Sequence, residues 1–140
     1  MADVPPGYRL STDKADLSLD WIIPALKATY WAEGRTEQAI RLSIENSRCY
    51  GIFLEGSSTQ VAFARVVTDE ATFSWLCDVV VDQAHQRKGL GKVLVSAVTS
   101  DPALKRTTFQ LRTRDAHGLY EKYGFVRQEV MLMKREGRDL

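Results

Sequence analysis

The stretch Val79-Val80-Val81-Asp82-Gln83-Ala84-His85-Gln86-Arg87-Lys88-Gly89-Leu90-Gly91-Lys92 decides the fold. An apolar strand runs into a polar loop and two glycines, and an amphipathic helix follows. The inward stripe of that helix is Leu90, Val93, Leu94, Ala97 and Val98, and Asp101-Pro102 stops it. Gly89 and Gly91 remove side chains where backbone must come close to a ligand, and either tolerates positive φ. The first-turn N–H groups of the helix have no intrahelical partner. With the helix dipole they form an anion site best matched to phosphate. Arg87, Lys88 and Lys92 add positive charge there. The Gly-x-x-x-x-Gly-Lys-Ser/Thr spacing of a Walker loop is missing, and no third glycine completes a dinucleotide fingerprint. A plain tight turn is the bland alternative. The strand, the basic cluster and the helix stripe agree with one another and favour the phosphate site.

Upstream, Arg48 to Glu55, Gln60 to Thr68 and Thr72 to Val81 alternate with period two and are rich in valine and aromatic residues. Gly56-Ser57-Ser58 and Asp69-Glu70-Ala71 separate them as short turns, which predicts an antiparallel three-strand meander. Before the meander, Leu19, Ile22, Ile23 and Leu26 recur at helical spacing, with Asp20 as the expected cap so that Pro24 falls near the first turn. Thr36 caps a second helix that carries Ala39, Ile40, Ser43 and Ile44 inward. Tyr8-Arg9-Leu10 reads as a first strand. Downstream, Thr107 to Arg112 is a strand, and Ala116 to Tyr123 is a short helix ended by Gly124 in a left-handed C-cap. Glu129 to Lys134 is expected as a closing strand, with Met131 and Met133 as ordinary core filling. The order is β-α-α-β-β-β-α-β-α-β, an α/β fold with a mixed sheet and helices on its faces.

The 140 residues fit one domain over 1–140. At 44% hydrophobic and 26% charged residues, disorder and collagen-like repeats are out. The net charge of +1 removes a global basic field for nucleic acid, so a nucleic-acid-binding domain is disfavoured. No apolar run approaches the roughly 20 residues of a membrane span. Met1-Ala2-Asp3-Val4-Pro5-Pro6 lacks the features of a signal peptide, which leads to the expectation of a cytoplasmic, reduced protein. Two cysteines are too few for a disulfide scaffold, and two histidines give no metal-ligand spacing.

Two segments together resemble the GNAT N-acetyltransferase superfamily. Its acetyl-CoA signature, Gln/Arg-x-x-Gly-x-Gly/Ala, matches Gln86-Arg87-Lys88-Gly89-Leu90-Gly91 in full. A second signature, Leu-Tyr-Glu-x-x-Gly-Phe, stands as Leu119-Tyr120-Glu121-Lys122-Tyr123-Gly124-Phe125. The two occur in the right order, separated by one helix and one strand. The resemblance covers Gln60 to Lys134 by motif and the first half by element order. It implies two splayed strands, Thr72–Val81 and Thr107–Arg112, with the pantetheine arm of acetyl-CoA between them. It further implies that backbone groups around Val79, Val80 and Val81 bind the pantetheine amides, and that the amides of Gln86 to Lys92 hold the pyrophosphate. Tyr120 falls where the family places the tyrosine facing the thioester sulfur. The family often carries an Asn ahead of that tyrosine, whereas this chain reads Thr113-Arg114-Asp115-Ala116-His117-Gly118 and puts Asp115 in that role at a shorter spacing. The first helices and their linker usually roof the acceptor site, which makes Tyr30, Trp31 and Arg35 the candidate acceptor-binding residues.

Bland readings stand beside these. Tyr120 and Tyr123 lie three apart on a helix, and one of them could fill core beside Phe125; the motif selects Tyr120 for chemistry. Asp78 sits inside an apolar run, where a carboxylate is costly unless paired, so it is either a salt-bridged structural residue or a site group. The Tyr30–Arg35 cluster is either an acceptor loop or a capped helix end whose aromatics cover the core. Cys77 reads as a small apolar strand residue, and His117 either contacts cofactor or caps its helix.

The mechanism implied is direct acetyl transfer from acetyl-CoA to a primary amine in a ternary complex. Tyr120 would be general acid to the leaving thiolate, and Asp78 the base, directly or through water. No metal is called for. The expected acceptor is a small-molecule or peptide amine, with no nucleic-acid or membrane partner and a homodimer left open. The competing class is a non-catalytic acyl-CoA-binding regulatory module.

Overall fold

The computed structural model of the chain describes residues 2–128 and 131–137. The valine- and aromatic-rich middle forms three antiparallel strands, β2 (Arg48–Leu54), β3 (Gln60–Thr68) and β4 (Phe73–Val81). β1 (Tyr8–Ser11) pairs antiparallel with β2, and β5 (Thr108–Gln110) pairs parallel with β4. The sheet order is therefore β1-β2-β3-β4-β5. A parallel neighbour requires a crossover, and α3 (Leu90–Thr99) supplies it between β4 and β5.

Strand alternation sends two sets of side chains to opposite faces. Tyr50, Ile52, Ala62, Ala64, Val66 and Leu76 pack on the α3 side, where Leu90, Val93, Leu94, Ala97 and Val98 are all buried as their helical spacing requires. Cys49, Phe63 and Val80 take the other face with Ile22, Ile23 and Leu26 of α1 (Leu19–Lys27) and Ile40 and Ile44 of α2 (Glu37–Glu45). Thr36 caps α2, its hydroxyl accepting from the Ala39 N–H at 3.1 Å. The last helix is α4 (His117–Glu121), where His117 opens the helix and Ala116 holds the cap position.

Five expectations are corrected. Ser18, not Asp20, is the N-cap of α1, because its carbonyl receives the Trp21 and Ile22 N–H groups. Pro24 consequently lies inside the helix, and the cost is moderated because Asp20 and Pro24 both face solvent. The strand expected at 107–112 and the helix expected at 116–123 are shorter, at three and five residues. Of the closing strand expected at 129–134, residues 129 and 130 lie outside the described residues, and 131–134 carry no strand. Met131 and Met133 are 98% and 95% exposed and fill no core.

Candidate active site

The site begins with a break in β4. Phe73, Ser74 and Trp75 pair with Thr108, Phe109 and Gln110, and beyond Trp75 the two strands have no further partners in register. The β4 edge from Leu76 to Val81 thus presents to a gap backbone groups that no described strand pairs, the arrangement in which a ligand amide can take the place of a neighbouring strand. On its other side β4 bulges. Phe63 faces Val80 but Arg65 faces Cys77, so β4 has one extra residue there, and Asp78 adopts φ +53. The extra residue reverses the alternation. Leu76 faces α3, and past the bulge so do Val79 and Val81, while Val80 faces α1 and α2.

At the end of β4 the chain turns through the Gln83–His85 helical turn, which Asp82 caps by accepting from the Ala84 N–H at 3.2 Å. Arg87 and Gly89 then take left-handed φ of +64 and +79. Gly89 is the N-cap of α3 and its carbonyl accepts the first helical bond, from Val93 at 3.1 Å. The N–H groups of the first turn of α3 have no intrahelical partner. They open on a cleft of about 240 Å³ lined by Val81, His85, Gln86, Arg87, Gly89, Leu90, Gly91, Lys92 and Leu119. A side chain at Gly89 would meet nothing within 4 Å, and one at Gly91 only Leu119 Cδ2 at 3.9 Å, so both glycines keep open space that a diphosphate could occupy. Helix N–H groups, Arg87 and Lys92 fit the charge of that group. His85 shares a 2.7 Å hydrogen bond between its Nδ1 and the Tyr8 hydroxyl, which ties the loop to β1.

α4 closes the far wall of this cleft through Leu119. The Tyr123 hydroxyl donates to the Lys92 carbonyl at 3.2 Å, fastening the turn after α4 to the first turn of α3. The Tyr120 ring is half-buried against Phe125, edge-on at 5.9 Å, and among the described residues its hydroxyl makes no hydrogen bond. Burial, and after it the nearby Asp115 carboxylate, raises the Tyr120 hydroxyl above its ordinary pKa, so it stays protonated across the neutral range.

The Asp78 carboxylate, 3% exposed, is surrounded by cations. Oδ2 accepts from Arg65 Nε at 2.9 Å and Arg35 Nη1 at 2.8 Å; Oδ1 accepts from Arg35 Nη1 at 2.9 Å and Trp31 Nε1 at 3.1 Å. Burial pushes its pKa up, but Arg65 and Arg35 together outweigh that and hold it below the usual carboxylate range. Trp31 and Arg35 belong to the loop between α1 and α2, so this ion pair pins that loop onto the bulge of β4. Tyr30 stands edge-on to Trp31 at 5.0 Å, and the Arg114 guanidinium lies 3.7 Å from the centre of the Tyr30 ring.

The expected phosphate-loop residues Gln86, Arg87, Gly89, Leu90, Gly91 and Lys92 therefore meet at one cleft, together with Val81. Lys88 is exposed outside its lining, and Val79 and Val80 stand on the β4 edge before it. Asp115 is exposed ahead of α4. Tyr30, Trp31, Arg35 and Asp78 form a second group at the gap. Sequence reasoning missed His85 and Leu119 in the cleft, and Arg65 and Arg114 around the second group. Arg65 had a signal: it is the one cation in the apolar run Val61–Val67, and it needed a buried anion.

Comparison with known proteins meets this geometry. The sequence profile of the acetyltransferase (GNAT) domain matches residues 45–127, more than half of the chain. An inferred acetyltransferase of Gibberella zeae is 31% identical over 137 residues, covering 82% of this chain and 76% of that protein. A crystal structure of an inferred GNAT acetyltransferase from Xanthomonas campestris pv. campestris superposes with a TM-score of 0.86 at 39% identity, covering 94% of both chains. A crystal structure of an inferred acetyltransferase from Deinococcus radiodurans R1 has a TM-score of 0.72 at 14% identity, covering 96% of this chain and 94% of that one, a likeness of fold. The chain belongs to the GNAT family of acetyltransferases.

Proposed function

We propose that the protein transfers the acetyl group of acetyl-CoA to a primary amine by direct attack in a ternary complex, with Tyr120 as general acid. The observation that carries this reading is the continuity of the Gly89–Gly91 cleft with the unpaired β4 edge on one side and with α4, bearing Tyr120, on the other. Bound acetyl-CoA supplies the activated thioester. The chain's own residues bind and orient it: the first-turn N–H groups of α3 with Arg87 and Lys92 take the diphosphate, and the β4 edge takes the pantetheine amides. A backbone N–H beside Val79 polarises the reacting carbonyl. The Tyr120 hydroxyl, uncommitted to any described partner and held protonated, gives its proton to the departing sulfur. No cysteine is suited to carry the acetyl group. Burial raises Cys49 and Cys77 to about 11, which leaves almost no thiolate at neutral pH.

Asp78 has a different role from the expected base. With both oxygens engaged by guanidinium and indole donors and its pKa lowered, it is a poor proton acceptor and a good anchor for the α1–α2 loop. The amine then loses its proton to solvent. A primary amine of pKa about 10 is mostly protonated at neutrality, so the rate should climb with pH toward that value.

The test is incubation with acetyl-CoA and a panel of primary amines, following CoA release and the mass of the products. Equimolar CoA and N-acetylated amine, with no acetyl-protein, is the expected result. Tight acetyl-CoA binding without acetylation of any amine would replace this reading by a regulatory acyl-CoA-binding module.

A further inference from the structure

We infer that the acceptor amine carries an anionic group, a carboxylate or phosphate, that docks on Arg35 at the mouth of the gap beyond Trp75; this rests on the amine-acetyltransferase reading above. The charge around Asp78 is unbalanced. One carboxylate faces two guanidiniums, and Arg65 is the more committed of the two: its Nε is on Asp78, its Nη1 is on the Ser47 hydroxyl at 2.9 Å, and its side chain is 11% exposed. Arg35 uses Nη1 alone among the described residues, and its side chain is 31% exposed. Among the described residues no buried side-chain nitrogen or oxygen lacks a partner, so Nε and Nη2 of Arg35 must reach solvent. They present a solvent-facing edge of the guanidinium that no described residue occupies, the fork that matches a carboxylate or phosphate.

The surroundings direct this edge toward a ligand. Asp78 lies just past the last β4–β5 pair, which puts Arg35 at the gap. Tyr30 and Trp31, 49% and 43% exposed, form an aromatic wall beside it. From across the gap, Arg114 of the loop after β5 stacks on Tyr30 and adds a second cation. The carboxylates nearby in sequence, Glu33, Glu37 and Asp115, are exposed, and among the described residues none of them pairs with Arg35 or Arg114. A polyamine would meet repulsion here; an amine with an anionic tail would complete the fork.

The experiment compares matched acceptors by initial rates: 4-aminobutyrate with 4-aminobutyramide, and phosphoethanolamine with ethanolamine. The anionic member of at least one pair should have kcat/KM higher by roughly tenfold or more, and which pair shows it identifies the group. Arg35→Gln should abolish that preference while Asp78 keeps Arg65, and Arg114→Gln, at an exposed position, should reduce it. A second readout needs no turnover. The Trp31 indole N–H, assigned among the three tryptophans by Trp31→Phe, should shift in NMR spectra on titration with 4-aminobutyrate or phosphoethanolamine and not with the neutral members. Equal rates for anionic and neutral members, a preference surviving Arg35→Gln, or an indole signal indifferent to both anions would overturn the inference. The first two results would leave amine acetylation standing. Loss of turnover with every amine but a retained indole shift would instead refute the enzymatic reading alone.

Discussion

Replacing Gly91 by valine should weaken acetyl-CoA binding tenfold or more, about 1.4 kcal/mol, without harming the fold. Gly91 is the second residue of α3 and does not have positive φ. A Cβ there meets only Leu119 Cδ2, at an ordinary 3.9 Å. Glycine within a helix costs roughly 0.5–1 kcal/mol relative to alanine, so Gly91→Ala should gain up to about that much. Valine gains less because its χ1 is restricted, but its two methyl groups project into the diphosphate cleft. Gly89 behaves oppositely in stability. Its space is open, yet at φ +79 any other residue is left-handed and costs about 1–2 kcal/mol. Three variants therefore separate the effects. Gly91→Ala should be more stable with near-normal affinity, Gly91→Val stable but weakly binding, and Gly89→Val both less stable and weakly binding. Urea unfolding reads the first quantity and titration calorimetry with acetyl-CoA the second. Unchanged affinity in Gly91→Val would refute the placement of the diphosphate.

Asp78→Asn leaves Arg65 and Arg35 facing no anion and should destabilise the fold by about 3–5 kcal/mol, measured by urea unfolding. The folded Asp78 carboxyl lies below its ordinary value of 3.8, so its contribution is present above that pH and is lost as pH falls through the lower folded value; acid unfolding of the Asn variant should lack this component. Cys49 and Cys77 both lie opposite Arg65, on strands β2 and β4 with β3 between them, about 10 Å apart and beyond disulfide reach. Both thiols should resist alkylation in the native protein, since burial raises each to about 11, and react fully on unfolding without reductant, as mass measurement would show.

The glycine loop, the α3 stripe and the meander were legible because each is local: a loop chemistry, a 3.6-residue period and a two-residue period. The bulge at Asp78 was not. Val79-Val80-Val81 is apolar on both faces and so shows no change of alternation where the extra residue enters. Nor could local pattern foretell that Asp78 meets Arg35 and Arg65, 43 and 13 residues away, although a lone cation and a lone anion in two apolar strands invited the pairing. The alternation around Met131 and Met133 suggested a strand, but strand propensity is realised only against a partner, and both side chains stand in solvent. Tyr120 and Tyr123 look alike in sequence. Their environments divide them: Tyr123 is tied to the Lys92 carbonyl, and the Tyr120 hydroxyl has no described partner.

That division makes the most direct test. Pre-steady-state acetyl transfer should be measured for Tyr120→Phe and Tyr123→Phe with a turned-over amine. Tyr120→Phe keeps the ring packed on Phe125 and removes the proton donor, so acetyl-CoA affinity should hold while the transfer rate falls by roughly 10²-fold or more. Tyr123→Phe loses one hydrogen bond, about 1 kcal/mol of stability, and should transfer at nearly the wild-type rate. A wild-type rate in Tyr120→Phe, with chemistry rate-limiting, would contradict the account; so would a defect confined to Tyr123→Phe.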